Sequence, residues 1–413
     1  MKLSSNDFVI LLSQIGTILI LSKLFWELSR KLNISAVIGE ILLGIVLGPT
    51  ILGNIFPSIF NTLFPESENI RLAFDSLVSI SVVIFLFVAG FEVDLSLIKG
   101  KIKNVLIVSL TSFLIPFLTG FYFIIYFPEL LINSSININI FATFIGLFLS
   151  VSALPVIIRI LLDMKLFKTN FGSIVTMSVI VIDIITWLIF SILLGFIDNT
   201  HQKIPILYTI ILINLFLVFS LTKGIKLTEK LFDFINKKSS HEETVAFSLG
   251  LCLLISSFTE YIGTHAIIGS FIFGIVLGNC KSLTQKTKET FENFSKELFV
   301  PLFFVSIGLR IDFIKNFDLI IFLIIIILSF ITKIIGTFIG ARLSGMKNNE
   351  SLALSFAMNA RGGMGIILAD LALNMNLISE EIFVSLVITS LLTSFITPFL
   401  IKKCDIEQLY VKN

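Results

Sequence analysis

In the stretch VIVIDIITW, residues 179–187, a single carboxylate, Asp183, stands among Ile and Val. The run IIFLIIIILSFITKIIG, residues 320–336, holds a single ammonium, Lys333. Ionisable groups in such apolar surroundings are costly and mark sites that act. Burial favours the neutral form of either group. A buried carboxylate can therefore sit near balance between a proton and a small cation, and exchange one for the other. The plainer alternative is a static Asp183–Lys333 ion pair that only holds two helices together.

Two segments interrupt apolar runs at mid-depth. LSVSALPV spans 149–156 and AMNARGGMG spans 357–365. Pro155 removes a backbone donor, and Gly362 and Gly363 weaken a helix. Helices broken at such points expose carbonyl and amide ends that coordinate ions; a proline kink and a glycine packing face are the plainer reading. Glu40, Glu92 and Arg159 lie near expected helix ends, where a structural or interfacial role serves as well. Glu260 precedes a short YIGT turn and is expected at the interface. Asp370, two turns past the second interruption, is either a polar partner in the core or the lining of a water-filled cavity. Cys252, Cys280 and Cys404 lack CxxC spacing, and His201, His241 and His265 are scattered, so neither a disulfide framework nor a multi-ligand metal site is expected.

The elements that carry these residues are apolar helices. The 413-residue chain is 56% hydrophobic and 14% charged, with mean hydropathy +1.02. A soluble domain is far less apolar. Apolar runs of about 20 residues recur along the chain, the length that crosses a bilayer as a helix. Short alternating segments of a membrane β-barrel are absent from this pattern. The expectation is an all-α polytopic membrane protein with about 13 transmembrane helices, near 7–28, 35–53, 73–92, 104–127, 138–162, 171–197, 205–223, 243–261, 265–279, 295–310, 317–342, 350–373 and 381–402. The first is expected to be a retained helix rather than a signal peptide. Residues 223–241 read as a basic amphipathic linker. Lys and Arg crowd one side of this topology, and only Lys2, Arg71, Lys203, Arg310 and Lys315 fall on the other. The basic side is cytoplasmic, which puts the N-terminus outside and the C-terminus inside.

The pentapeptide GIVLG occurs at 44–48 and again at 274–278, each in a short helix. FVAGFEVD at 87–94 is echoed by FVSIGLRID at 304–312. The copies lie an odd number of helices apart, so they point in opposite directions across the membrane. Inverted repeats of this kind build secondary transporters. The reading is one membrane domain over 1–413, with helices 1–6 (7–197) and 8–13 (243–402) as the repeats and 205–223 as a linker helix. The chain stops shortly after the last helix, and no soluble regulatory domain is expected.

The whole set of motifs resembles the second monovalent cation:proton antiporter family. The matching pieces are AVIGEILLGIVLGPTILG (36–53), FLFVAGFEVD (85–94), SVSALPVIIRI (150–160), GTHAIIGSFIFG (263–274), PLFFVSIG (301–308) and NARGG (359–363). The resemblance implies the sodium/proton antiporter-like fold: thirteen helices, two crossed discontinuous helices, a six-helix core and a separate dimerisation domain. It implies exchange of Na+ or K+ for H+ across the cell membrane by an elevator-type movement, in a homodimer. Asp183 matches the family's ion-binding aspartate. Ser150, Val151, Ser152 and Pro155 match one unwound stretch, and Asn359, Arg361 and Gly362 the other. Glu92 falls in a matching motif, and Lys333 matches the basic residue that faces the carboxylates.

Two positions depart from the pattern. Ile182 stands where Asp or Asn usually precedes the binding aspartate, and Gly365 where Glu is frequent. A lone carboxylate leaves Lys333 to turn to Asp183 or to the carbonyl end of a half-helix. It also suggests one cation for one proton, an electroneutral exchange. The rival readings are a proton-coupled carrier of another solute and a cation-binding membrane sensor without turnover. No enzyme motif, cofactor motif or nucleic-acid-binding pattern is present in the sequence.

Overall fold

The computed structural model describes residues 4–31, 36–65, 67–91, 93, 102–131, 137–164, 166–167, 169–197, 206–236, 240–262 and 265–404. Glu92 and the Asp94 end of the first FVAGFEVD copy lie outside them, as do the side chains of Pro155 and Arg159. Every regular element among the described residues is a helix, with no strand. In chain order the helices are α1 (Ser5–Lys31), α2 (Ala36–Leu47), α3 (Pro57–Leu63), α4 (Glu68–Phe91), α5 (Ile102–Tyr126), α6 (Ile138–Ser150), α7 (Leu154–Asp163), α8 (Asn170–Ile197), α9 (Ile206–Phe219), α10 (Ile225–Asn236), α11 (His241–Tyr261), α12 (Ala266–Gly278), α13 (Gln285–Phe294), α14 (Val300–Arg310), α15 (Leu319–Leu343), α16 (Asn348–Ala357), α17 (Gly362–Asn374) and α18 (Glu380–Lys402). Among the described residues nine helical runs are long and apolar enough to cross a membrane, and the bent pair α16–α17 makes a tenth. Helices α6 and α12 are apolar but shorter.

Within the basic amphipathic stretch read as a linker, Ile225–Asn236 form a helix. α9 continues through a π-turn at Ser220–Gly224 into α10. The charges that end the apolar run do not end the helix, because lysines tolerate helical backbone well. A second polar helix, α13, precedes α14 through another π-turn at Ser295–Phe299.

The chain divides into two compact units, Met1–Asp94 with Asn199–Lys315 and Leu95–Asp198 with Asn316–Asn413. In the first, the repeated pentapeptides supply the packing. A Cβ on Gly44 would meet the backbone of Val305 and Gly308, and one on Gly48 the Gly308 carbonyl. A Cβ on Gly274 would meet the Phe87 carbonyl and Gly90, and one on Gly278 the Phe91 backbone. Each GIVLG thus lets a helix touch the backbone of the FVSIG or FVAGF segment across from it, the small-residue contact that membrane helices use. Gly274→Leu is expected to lower the melting midpoint in detergent, since overpacking costs about 1–3 kcal/mol. Gly250→Leu, at a position with open space around it, should not.

Of the five cations that the sequence reading sets apart from the basic loops, the three among the described residues, Arg71, Arg310 and Lys315, are each paired with a carboxylate. Asp75 pairs with Arg310 at 2.9 Å and Arg71 at 3.8 Å, and Asp312 pairs with Lys315 at 3.3 Å. Glu40, expected near a helix end, is buried in α2. Glu260 is exposed and accepts from the Ala266 amide at 2.6 Å, which ties the turn between α11 and α12.

The second unit is built on α5, which packs against both α6 and α15. Gly340 lets α15 approach Val108 and Thr111 of α5. One turn deeper the Ser112 and Thr337 hydroxyls join the two helices at 2.7 Å. α15 is capped by Asp318, whose carboxylate accepts the Ile320 and Ile321 amides at 2.8 and 2.9 Å.

Candidate functional site

The two interruptions read from the sequence meet in the second unit. Helical backbone stops at Val151–Ala153 between α6 and α7, and again at Met358–Arg361 between α16 and α17, where the axis bends by 42°. The Ala153 amide donates to the Ala360 carbonyl at 2.7 Å. The Ser152 hydroxyl donates to the Met358 carbonyl at 2.7 Å. The two broken helices therefore cross and are stitched together by bonds that intact helices would have kept to themselves. Gly362 sits at φ +45°, in the left-handed region, with Ala153 and Val156 beside it. A side chain there would be strained as well as crowded.

The break leaves the Leu149 and Ser150 carbonyls at the end of α6 without amide partners among the described residues, and buried side-chain cations take them. Lys333, fully buried on α15, donates to the Ser112 carbonyl at 3.2 Å and to the Ser150 carbonyl. Arg361, also fully buried, donates through Nη2 to the Leu149 and Ser329 carbonyls at 2.8 and 3.0 Å. Its Nη1 reaches the Asn359 side-chain and backbone oxygens at 3.0 and 3.3 Å, and Nε the Phe148 carbonyl at 3.4 Å. Asn359 in turn donates to the Phe330 carbonyl at 3.1 Å. Two cations thus sit at the negative end of the α6 dipole, where positive charge is most favourable. The Ser150 hydroxyl is engaged by the Phe113 and Gly146 carbonyls at 2.9 and 2.8 Å. Val151 caps α6 with its amide.

Asp183 lies in the middle of α8, 2% exposed, and its charge acts on the Lys333 ammonium. Ile182 beside it is fully buried. Its side chain has no atom that accepts a hydrogen bond, so this step of α8 brings one carboxylate and not two. Asp370 is buried in α17, where the Asn374 amide donates to it at 3.2 Å.

Other polar groups near these residues were not singled out from sequence. Ser112 and Ser329 contribute the carbonyls that Lys333 and Arg361 hold. On α8, Thr176, Ser178 and Thr186 are buried with hydroxyls that have no partner among the described residues. The available signal was a threonine three residues after the aspartate, VIVIDIITW, but hydroxyl residues are common in membrane helices and usually bond back to their own helix.

A family model described as "Sodium/hydrogen exchanger, transmembrane" matches residues 16–403. The chain is 30% identical over 390 residues to the Na(+)/H(+) antiporter of Enterococcus hirae, covering 93% of this chain and 95% of that protein. It is 30% identical over 400 residues to cation/H(+) antiporter 17 of Arabidopsis thaliana, covering 94% of this chain and 47% of that protein, so it spans about half the length of that relative. The structure of the sodium proton antiporter MjNhaP1 from Methanocaldococcus jannaschii superposes with a TM-score of 0.67 over 95% of this chain and 96% of that one, at 20% identity, which establishes the shared fold. The chain belongs to the sodium/hydrogen exchanger family, a family of membrane transporters and not of enzymes.

Proposed function

We propose that this protein exchanges a monovalent cation, Na+ or K+, for H+ across the cell membrane, with Asp183 holding the proton and the cation in turn. The observation that carries the reading is the buried Asp183 in the same unit as the crossed, broken helices, where Lys333 and Arg361 already direct their charge at the carbonyl end of α6. The antiporter names of the relatives support it. Ser152 and Asn359 serve the crossing itself, through the bonds that join one break to the other.

A single exchangeable carboxylate implies one proton for one cation. The division into two compact units suits an elevator-type movement, in which the unit with Asp183 shifts and the other stays with the membrane. The reciprocal glycine packing of the two GIVLG segments supports inverted repeats. The basic loops belong on the cytoplasmic side, with the N-terminus outside. The assembly is a homodimer, for which the exposed apolar residues of α1, such as Phe8, Leu12 and Ile20, offer a lipid or partner face.

The test is the pH change on adding Na+, Li+ or K+ to energised everted vesicles from a strain without its own antiporters. A response to at least one cation is expected. No response to any, with the protein present in the membrane, would overturn the reading. Ile182 favours a second reading, a proton-coupled carrier of another solute, which that negative result would bring forward.

A further inference from the structure

We propose that Thr186 is a cation ligand that completes the site at Asp183, supplying a neutral oxygen on the one face of α8 where Ile182 supplies none. The inference rests on the exchange reading above. Residues three apart on a helix are neighbours, with Cβ atoms about 5–6 Å apart, so the Asp183 carboxylate and the Thr186 hydroxyl can reach one ion. Position 182 is about 100° from Asp183 around the helix and about 40° from Thr186, so Thr186 stands on the flank of α8 that Ile182 leaves without an oxygen.

The state of the hydroxyl is the second observation. Several threonines of the membrane helices turn back onto the carbonyl four residues before, although the Thr389 hydroxyl of α18, like that of Thr186, has no partner among the described residues. Thr119 turns back to Ile115 at 2.8 Å, Thr143 to Asn139 at 2.7 Å and Thr332 to Leu328 at 2.6 Å. Thr186 is 2% exposed, yet its hydroxyl has no partner among the described residues. In a membrane interior an oxygen without a partner is costly. Asp183 and Thr186 together offer a charged and a neutral hard oxygen, the donor types suited to a small monovalent cation. Thr176 also has a hydroxyl without a partner and lies on this side of α8, but about 10 Å further along the axis, too far to share that ion. A neutral ligand beside a single carboxylate binds the cation without adding a proton site, so it strengthens binding while keeping the exchange one for one.

The test compares wild type, Thr186→Val and Thr186→Ser in two ways. One is cation-driven proton exchange in vesicles. The other is the shift in melting midpoint of the purified protein on adding Na+, Li+ or K+. In Thr186→Val the cation KM is expected to rise about tenfold with kcat little changed, because binding common to every step is lost. Its cation-induced melting shift should shrink, and its midpoint without cation should stay or rise, since a methyl replaces a hydroxyl without a partner. Thr186→Ser should behave as wild type. A Val variant with wild-type KM and melting shift would overturn the assignment. So would equal losses in Val and Ser, or a lowered midpoint without cation, which would mark a packing role. If wild type itself neither exchanges nor shifts with any cation, it is the exchange reading that fails.

Discussion

Replacing Asp183 by Asn is expected to reduce cation-driven proton movement to the background of vesicles that lack the protein. Asn keeps the shape of the side chain, so α8 should pack as before. It cannot ionise, and so it can neither release a proton nor balance a bound cation. Among the described residues the other buried acid of this unit, Asp370, is held by Asn374 on a different helix, and Ile182 carries no ionisable group. The melting midpoint without cation should stay near wild type, while any cation-induced shift disappears. Residual exchange above a few per cent of wild type would place the proton elsewhere.

Arg361→Met is expected to have the largest effect on stability. The guanidinium is fully buried and serves five acceptors: the Phe148, Leu149, Ser329 and Asn359 carbonyls and the Asn359 side-chain oxygen. Met fills much of the same space but donates nothing. Membrane hydrogen bonds average about 0.6 kcal/mol each, so five amount to about 3 kcal/mol. Uncompensated buried acceptors in soluble proteins cost about 1–3 kcal/mol apiece, which makes that a lower figure. The expected result is a sharply lowered melting midpoint and little folded protein, in contrast to Asp183→Asn. Arg361→Lys should rescue only part, because one ammonium cannot replace a planar fork that reaches α6, α15 and the break together. A midpoint like wild type in Arg361→Met would show that the crossing is held by other bonds.

The contrast between the two residues tracks what could be read in the sequence. Asp183 stood out because a charge in an apolar run is visible from its neighbours alone. The two helix breaks were legible for a similar reason, since Pro155 and the Gly362–Gly363 pair are local signals. The destination of Lys333 was not legible beyond two alternatives. It depends on α6 ending at Ser150, which lies 183 residues away. Arg361 was visible as a charge, but its reach to Leu149 and Ser329 follows from the crossing and from no local pattern. Helices α10 and α13 were missed because apolar length was the guide, and both are polar helices that continue a span past its hydrophobic end. Thr186 was missed because only its missing bond distinguishes it from a threonine that caps its own helix.

The most direct test of a single exchanging carboxylate is the voltage dependence of transport. The wild type, in sealed proteoliposomes, would be given a gradient of the cation to which it responds, with the membrane potential clamped at zero and then at about 100 mV. One uncompensated charge per cycle would bias the exchange by about 2.3 kcal/mol at that potential, about fiftyfold in the equilibrium gradient. The account predicts the same final gradient at both potentials, because Asp183 trades one proton for one cation. A final gradient that moves with the potential would contradict it, and would require a second proton-carrying group in every cycle.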